Sequence, residues 1–189
     1  MIKIAFFDTK DYDKKLFEEY NKQYNYEITY YESRLNSETA QLAQGFDVVC
    51  IFVNDIADKK TLDKLNKYGV KLIALRCAGF NNVDLDNVGN LKVVYVPQYS
   101  PYAVAVHATA LLLNINRKIY KSYQRVKKYN FSLDGLLGFD LHGKTVGVIG
   151  TGKIGKTFIQ IMRGFGTKII AYDVFKDENA AKELDFEYV

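Results

Sequence analysis

Three glycines at the spacing Gly150-x-Gly152-x-x-Gly155 follow a short apolar segment, Thr145–Ile149, and precede a segment of helical character. This order of strand, glycine-rich turn and helix is typical of sites that bind the diphosphate of a dinucleotide. Gly150 would allow the tight turn, Gly152 the approach of a phosphate to the backbone, and Gly155 the close packing of the helix. The first N–H groups of that helix and its partial positive charge would favour an anion.

An acidic residue stands where such a site needs one. A second apolar segment, Lys168–Tyr172, ends on Asp173, which lies 18 residues after Gly155. A carboxylate at about this distance accepts hydrogen bonds from the ribose hydroxyls of a bound dinucleotide. A glycine-rich turn alone would be weak evidence, but with the strand, the helix and Asp173 it predicts a dinucleotide-binding unit.

The same residues satisfy a competing pattern, the phosphate loop G-x-x-x-x-G-K-[ST] of nucleotide hydrolases. It matches residues 150–157, with Lys156 as the phosphate-binding lysine, and again residues 138–145, which lead into a strand instead of a helix. One of the two matches is therefore accidental. Only 34 residues follow Gly155, fewer than we expect a hydrolase domain to need. Nucleoside triphosphate hydrolysis remains the less favoured alternative.

Composition indicates an ordinary globular protein of one large or two small domains, with 189 residues, 48% of them hydrophobic, and a net charge of +4. The lysines are scattered among acidic residues, so we expect no nucleic-acid partner and no membrane partner. Cys50 and Cys77 lie in apolar segments and are expected to be buried free thiols of a reducing compartment. With no signal peptide and no membrane span, the expected location is the cytoplasm, and no metal site is predicted.

Residues 1–99 alternate between strand-like and helix-like segments, as in a doubly wound α/β domain. Several of the strands lack polar alternation, which is typical of a parallel sheet covered on both faces. Helices are expected at Tyr12–Tyr20, at Ser37–Gln44 with Ser37 as N-cap, and at Lys60–Tyr68. Strands are expected at Ile2–Phe7, Tyr26–Tyr31, Val48–Val53, Lys71–Arg76 and Lys92–Val96.

Residues 100–189 begin with Pro101, and the absence of a breaker from Ala103 to Tyr123 predicts one long helix. The remainder predicts one βαβαβ half of a dinucleotide-binding sheet. Its expected strands are 145–149, 168–172 and 186–189, and its helices are 154–164 and 177–184. In the sheet order 3-2-1-4-5-6 this half would leave Thr145–Ile149 as an edge strand, so we expect a homo-oligomer, a dimer in the simplest case.

Six segments across nearly the whole chain carry a resemblance to a known family. The chain resembles the D-isomer-specific 2-hydroxyacid dehydrogenases, and among them the fermentative D-lactate dehydrogenases. The segments are Ile51–Asn54, Leu75–Asp86, Lys92–Pro101, Tyr123–Arg125, Asn130–Ser132 and Gly147–Gly155. The resemblance implies an α/β protein with a flavodoxin-like parallel-sheet substrate domain over residues 1–99. A truncated Rossmann NAD-binding domain over residues 100–189 would follow, with only its first βαβαβ half.

The resemblance also implies a reaction, pyruvate + NADH to D-lactate + NAD, and roles for particular residues. Backbone N–H groups around Ala78 and Gly79 would hold the carboxylate of a small 2-oxo or 2-hydroxy acid, and Tyr99 would line its pocket. Asp173 would favour NAD over its phosphorylated relative. The residues assigned to the cofactor are Gly150, Gly152, Lys153, Ile154, Gly155 and Asp173.

The catalytic residues that the resemblance implies are an arginine and a histidine oriented by a glutamate, all expected beyond Val189. We therefore expect no catalytic residue in this chain, little or no activity, and weak NAD binding through the adenosine diphosphate half. A non-catalytic nucleotide-binding or interaction module is the second alternative. Because relatives are nearly twice as long, the chain is expected to be the N-terminal part of an enzyme, as a remnant or as a fragment.

Residues that might replace the missing ones are weak candidates. His107 matches the histidine of a family Glu-His pair, but Val106 takes the place of the glutamate, so we expect a histidine whose ring packs against a neighbouring element from within the long helix. His142 is expected to face solvent, and Arg76 to form a structural ion pair. Tyr102 also departs from the family pattern. The segment between Asp86 and Leu91 is two residues short, which predicts a shortened helix before Lys92.

Overall fold

Five parallel strands form the sheet of residues 1–99 in the computed structural model, which describes residues 1–189. The strand order is β2-β1-β3-β4-β5, the 2-1-3-4-5 order of flavodoxin-like folds, which confirms the predicted class. All five predicted strands are present, each shorter than expected. They are β1 (Lys3–Phe6), β2 (Glu27–Tyr30), β3 (Val48–Ile51), β4 (Leu72–Leu75) and β5 (Lys92–Tyr95).

Helices cover both faces of this sheet, α1 (Asp11–Asn21) on one and α2 (Lys59–Lys67) on the other. Alternate strand residues point to opposite faces, so Phe6 of β1 meets Phe17 of α1 with ring centroids 4.7 Å apart. The other face forms the main core. Its fully buried side chains include Ala5, Phe7, Val49, Ile51, Leu62, Leu65 and Ile73.

The helix predicted at Ser37–Gln44 is wrong in type and in cap. The structure has a 3₁₀ helix over Thr39–Ala43, and its N-cap residue is Glu38 instead of Ser37. Asn36 Oδ1 accepts hydrogen bonds from the N–H groups of Glu38 at 2.8 Å and Thr39 at 3.0 Å. Glutamate is not among the residues favoured at an N-cap, so the sequence pattern favoured Ser37 instead. A single 3₁₀ turn, Leu85–Asn87, precedes β5, which confirms the shortened helix.

The chain divides into two compact units, Met1–Tyr99 and Ser100–Val189. The second unit begins with α3 (Pro101–Asn116), whose N-cap Ser100 accepts a hydrogen bond from the Ala103 N–H at 3.3 Å. The prediction of one long helix is wrong, because α3 stops at Asn116 and a separate helix α4 covers Ile119–Lys127. Lys118 between them has a left-handed backbone with φ of 53°.

The interruption has a tertiary cause. The buried side chain of Asn116 donates to the Phe139 carbonyl at 2.8 Å and accepts from the Phe139 N–H at 2.9 Å. Asn114 Oδ1 accepts from the Tyr120 N–H at 3.2 Å across the break. Asparagine side chains compete with helical hydrogen bonding, and here they fix the loop that leads to the second sheet.

Three parallel strands in the order β6-β7-β8 form the sheet of the second unit, with β6 at an edge as predicted. Its core contains Val148, Ile159, Met162, Ile169, Ala171, Ala181 and Phe186, and α3 packs against α5. The elements are β6 (Thr145–Ile149), α5 (Lys153–Gly164), β7 (Lys168–Tyr172), α6 (Glu178–Leu184) and β8 (Glu187–Tyr188).

Both cysteines are free thiols, but only one is buried. Cys50 lies in β3, and burial raises its pKa to about 12. Cys77 is only partly buried, against expectation, because it lies past the end of β4 where the strand leaves the core. None of the helices combines the length and the apolar character that a membrane crossing requires.

Candidate dinucleotide-binding site

A loop of three residues, Gly150 to Gly152, joins β6 to α5. Gly150 has a backbone φ of +92°, which residues other than glycine rarely adopt. Its N–H donates to the Tyr172 carbonyl at 2.8 Å. A β-carbon added to Gly155 would lie 2.0 Å from the Gly150 carbonyl oxygen. The first turn of α5 therefore rests directly on the end of β6, which only glycine permits.

The N-terminus of α5 leaves room for an anion. Gly152 is the N-cap residue, and a β-carbon added there would meet no atom within 4 Å. The first intrahelical bond is from the Lys156 N–H to the Gly152 carbonyl at 2.9 Å, so the N–H groups of Ile154 and Gly155 precede it. Open space before these donors, together with the helix dipole, fits a phosphate group.

Asp173, the residue after β7, adjoins this loop through Thr151. Asp173 Oδ2 accepts from the Thr151 N–H at 2.6 Å and from the Thr151 hydroxyl at 3.0 Å, and Oδ1 accepts from the Phe175 N–H at 2.9 Å. The Phe175 bond and then the two Thr151 bonds lower the pKa of Asp173. The carboxylate is therefore ionised at neutral pH and fixed beside the glycine loop.

Two residues of this site were missed by the sequence analysis, Thr151 and Tyr188. Thr151 is buried between the two glycines of the loop, and its hydroxyl lies 2.7 Å from the Tyr188 hydroxyl in β8. The Tyr188 oxygen also accepts from the Asp177 N–H at 3.0 Å. Thr151 occupies a variable position of the glycine pattern, and Tyr188 lies in a short apolar segment. Nothing in the sequence therefore indicated that either residue belongs to the site.

Neither match to the hydrolase pattern forms a phosphate loop. Because α5 begins at Lys153, Lys156 lies inside the helix, and its ammonium group pairs with Asp177 Oδ2 at 2.5 Å. Thr157 is buried and donates to the Lys153 carbonyl at 2.8 Å, so it is not presented to a metal ion. The second match ends in β6, with Thr145 as the first residue of the strand. A three-residue turn is too short to enclose a phosphate in the manner of those enzymes.

The residues assigned to the substrate lie in the first unit. Ala78 and Gly79 follow the carboxyl end of β4, and their N–H groups have no acceptor within the protein. The Cys77 thiol donates to the Gly79 carbonyl at 3.2 Å, and the Cys77 carbonyl accepts from the Val96 N–H at 3.2 Å. These contacts shape a turn with two available donors, and Tyr99 is an exposed residue after β5.

The Arg76 side chain is surrounded by other residues of the first unit, in agreement with its expected structural role. Its guanidinium group lies 4.4 Å from the ring centroid of Phe6 and 4.8 Å from that of Phe52. It donates to the Asp8 carbonyl at 2.7 Å and approaches Asp13 Oδ1 at 3.6 Å. These contacts join Arg76 to several parts of the first unit. Its side chain is only 9% exposed, so it is not presented to a ligand.

The two histidines are both exposed. For His142 this confirms the expectation, but the prediction that the His107 side chain packs against a neighbouring element is wrong. The buried positions of α3 are Ala105, Thr109 and Asn116, which recur on one face of the helix. His107 lies two residues from Ala105 and so falls on the opposite side. No group of three or more histidine, cysteine, aspartate or glutamate side chains is arranged to hold a metal ion.

Comparison with known proteins gives a consistent result. The model of the D-isomer specific 2-hydroxyacid dehydrogenase catalytic domain matches residues 4–184. The chain is 50% identical over 190 residues to the D-lactate dehydrogenase of Escherichia coli K12. It is 51% identical over 190 residues to a 2-hydroxyacid dehydrogenase homologue of Haemophilus influenzae. The alignments include 100% of this chain, which spans about 57% of the length of these relatives.

Solved structures agree in fold. The apo-structure of D-lactate dehydrogenase from Escherichia coli superimposes with a TM-score of 0.92 at 49% identity, covering 100% of this chain and 60% of that one. The NAD-complexed form of a D-isomer specific 2-hydroxyacid dehydrogenase from Lactobacillus delbrueckii ssp. bulgaricus superimposes with a TM-score of 0.75 at 32% identity. That match covers 99% of this chain and 57% of the other.

Proposed function

Because the chain belongs to the D-isomer specific 2-hydroxyacid dehydrogenase family, we propose that it forms part of a D-lactate dehydrogenase. The reaction is pyruvate + NADH + H⁺ to D-lactate + NAD⁺. In this proposal residues 1–99 hold the substrate, and residues 100–189 hold the adenosine diphosphate half of the cofactor. NAD, when bound, supplies the hydride acceptor or donor.

The observation that supports the cofactor best is the open approach to Gly152 beside the ionised Asp173. The diphosphate would meet the backbone N–H groups of Lys153 and Ile154, and a ribose hydroxyl would donate to Asp173. Gly150 and Gly155 would act indirectly, by allowing the turn and the packing of α5. A second negative charge on the ribose would be repelled by Asp173, so NAD would bind better than NADP.

On the substrate side, the two available N–H donors at Ala78 and Gly79 suit the carboxylate of a small 2-oxo or 2-hydroxy acid. Two adjacent N–H groups form an anion-binding concavity of the kind that follows strands and turns. Tyr99 would form a wall of the pocket. These groups bind and orient, but none of them is placed to transfer a proton.

We propose no catalytic residue in this chain. The arginine, histidine and glutamate of the family would belong to the share of the relatives' length that the chain does not span. Proximity and orientation account for about 7–11 kcal/mol of the barrier in well-oriented reactions, and hydride transfer needs both substrates held. We therefore expect the 189-residue chain to bind NAD weakly and to show no turnover.

A homo-oligomer, a dimer in the simplest case, is proposed from two apolar surfaces. At the edge strand β6, Ile149 is 90% exposed, and on α3 Ile115 is 61% exposed. A bare apolar edge favours pairing with a second copy. Static light scattering at micromolar concentration tests this, because a monodisperse monomer would contradict it. A cytoplasmic location, and the absence of nucleic-acid and membrane partners, complete the proposal.

Calorimetric titration of NADH and NADPH into the chain tests the cofactor assignment. We expect weak binding of NADH and still weaker binding of NADPH, and an equal affinity for both would contradict the role of Asp173. Pyruvate-dependent oxidation of NADH, with the intact mass of the chain confirmed, tests the assignment of catalysis. Clear turnover would mean that a different chain supplies the arginine and the histidine, or that the assignment of the catalytic groups beyond Val189 is wrong.

A further inference from the structure

Four groups form an unbroken hydrogen-bonded chain that ends on Asp173. The Asp177 N–H lies 3.0 Å from the Tyr188 hydroxyl, which lies 2.7 Å from the Thr151 hydroxyl, which lies 3.0 Å from Asp173 Oδ2. In the same order, these residues are the N-cap of α6, a residue of β8, a residue of the glycine loop and the residue that follows β7. Thr151 occupies a variable position of the motif that predicts the cofactor site, and Tyr188 lies outside that motif.

The direction of each hydrogen bond is determined by its neighbours. A backbone N–H only donates, so the Tyr188 oxygen accepts from Asp177 and its own hydrogen is left for Thr151. An ionised carboxylate only accepts, so the hydrogen of the Thr151 hydroxyl is directed to Asp173. Tyr188 therefore holds the Thr151 hydroxyl in the one orientation that serves Asp173.

The consequence for Asp173 follows from a count of its acceptor positions. A carboxylate has about four, and three are filled, two on Oδ2 by Thr151 and one on Oδ1 by Phe175. The remaining position is on Oδ1. A carboxylate held in this way can accept one ribose hydroxyl, but it cannot rotate away from a phosphate placed on the ribose.

We propose that Thr151 and Tyr188 are positioning residues that fix the Asp173 carboxylate and thereby set the preference for an unphosphorylated adenosine ribose. This inference rests on the proposed cofactor site and names the residues that decide its selectivity. Without the Thr151 hydroxyl, the carboxylate gains freedom to turn. Ribose binding would then weaken, while the repulsion of a 2′-phosphate would fall.

Tyr188→Phe is a clean probe because it keeps the ring. The ring of Tyr188 packs edge-on against Phe186 with centroids 5.0 Å apart, and Lys176 lies 5.5 Å from its centroid. Both contacts survive in phenylalanine, and only the hydroxyl is lost. Thr151→Val removes the second hydroxyl with little change of shape, and Thr151→Ser restores it. Tyr120→Phe serves as the matched control, since Tyr120 is exposed on α4 away from this chain of groups.

The measurement is the ratio of the affinities for ADP-ribose and for ADP-ribose 2′-phosphate, by calorimetry on the 189-residue chain and its variants. We expect the native preference for ADP-ribose to fall about three- to tenfold in Thr151→Val, the size of the loss of one ordinary hydrogen bond, because the Thr151 N–H still binds the carboxylate. Tyr188→Phe should lower the preference for ADP-ribose about two- to fivefold. Thr151→Ser and Tyr120→Phe should keep the native ratio.

The outcomes separate this inference from the proposed function. If the native chain and both hydroxyl-deleted variants bind ADP-ribose, and all three show the same ratio of its affinity to that of ADP-ribose 2′-phosphate, the positioning role is wrong and the cofactor site stands. If the native chain binds neither compound, the proposed site and this inference are both wrong. Should Thr151→Val fail to fold, the ratio measured for Tyr188→Phe decides. A merely structural role would lower both affinities equally and would also contradict the inference.

Discussion

Gly155 and Gly150 are in direct contact, with the position of a Gly155 β-carbon only 2.0 Å from the Gly150 carbonyl oxygen. The contact joins the start of α5 to the end of β6, so it determines where the N–H groups of the helix lie relative to the sheet. Gly152, between them, meets nothing. One glycine of the pattern is therefore needed for folding, and another is available for binding.

The contact predicts a large difference between two glycines of α5. Gly155→Ala should destabilise the second unit by about 1–3 kcal/mol, as for an overpacked site, because the added methyl group meets backbone. Gly164→Ala is the matched control, since a β-carbon there meets no atom within 4 Å. It should leave stability unchanged or raise it by up to about 1 kcal/mol. Urea unfolding measures both, and equal effects would contradict the contact.

Asp173 predicts a pH dependence of stability. Its pKa is lowered in the folded chain, so it stabilises the fold above the unfolded pKa of about 3.9, and that contribution is lost as pH falls through the folded value. Asp173→Asn should therefore be less stable than the native chain at neutral pH. The difference in unfolding free energy should shrink as the pH falls below about 5. A difference that stays constant over that range would contradict the hydrogen-bonded carboxylate.

Lys156 distinguishes the dinucleotide site from a phosphate loop. Its ammonium group pairs with Asp177, which raises the pKa of Lys156 and lowers that of Asp177 through their hydrogen bond. Lys156→Ala should leave the affinity for ADP within about twofold of the native value, since the Lys156 ammonium group is engaged by Asp177 and lies inside α5 instead of in the glycine loop. No magnesium-dependent ATP hydrolysis should occur in either protein. A loss of nucleotide binding by orders of magnitude would revive the hydrolase alternative.

Arg76 is predicted to be required for the stability of the first unit. Arg76→Lys should cost about 2–4 kcal/mol, because lysine keeps the charge but loses the planar group that stacks on Phe6 and Phe52. The exposed Arg117 provides the control, and Arg117→Lys should change stability by less than about 0.5 kcal/mol. Thermal unfolding compares the two. Similar effects would show that Arg76 needs only its charge.

The parts of the fold that local pattern determines were predictable. Apolar segments and glycine spacing identified the strands of both sheets and the turn into α5, because burial on both faces of a parallel sheet leaves a distinct composition. The break after Asn116 was missed, since it depends on hydrogen bonds to Phe139, 23 residues away. The cap predicted at Ser37 was wrong for a different reason, because the N-cap position is occupied by Glu38, a residue type without a capping preference.

The candidate site divides in the same way. Residues in the glycine pattern, and Asp173 at its expected distance, were identified from spacing alone. Thr151 and Tyr188 were not, because their part depends on a pairing between hydroxyl groups 37 residues apart. The exposure of His107 also depends on which face of α3 meets α5, and an apolar helix such as α3 does not reveal that face in its sequence.

The central claim is that the space before Gly152 receives a nucleotide diphosphate, and a titration of ADP into the native chain and into Gly152→Ala tests it most directly. The substitution should leave stability within about 1 kcal/mol of the native value, because the added methyl group contacts nothing. The affinity for ADP should fall at least about tenfold, because the methyl group occupies the space of a phosphate. Equal affinities in two equally stable proteins would contradict the account.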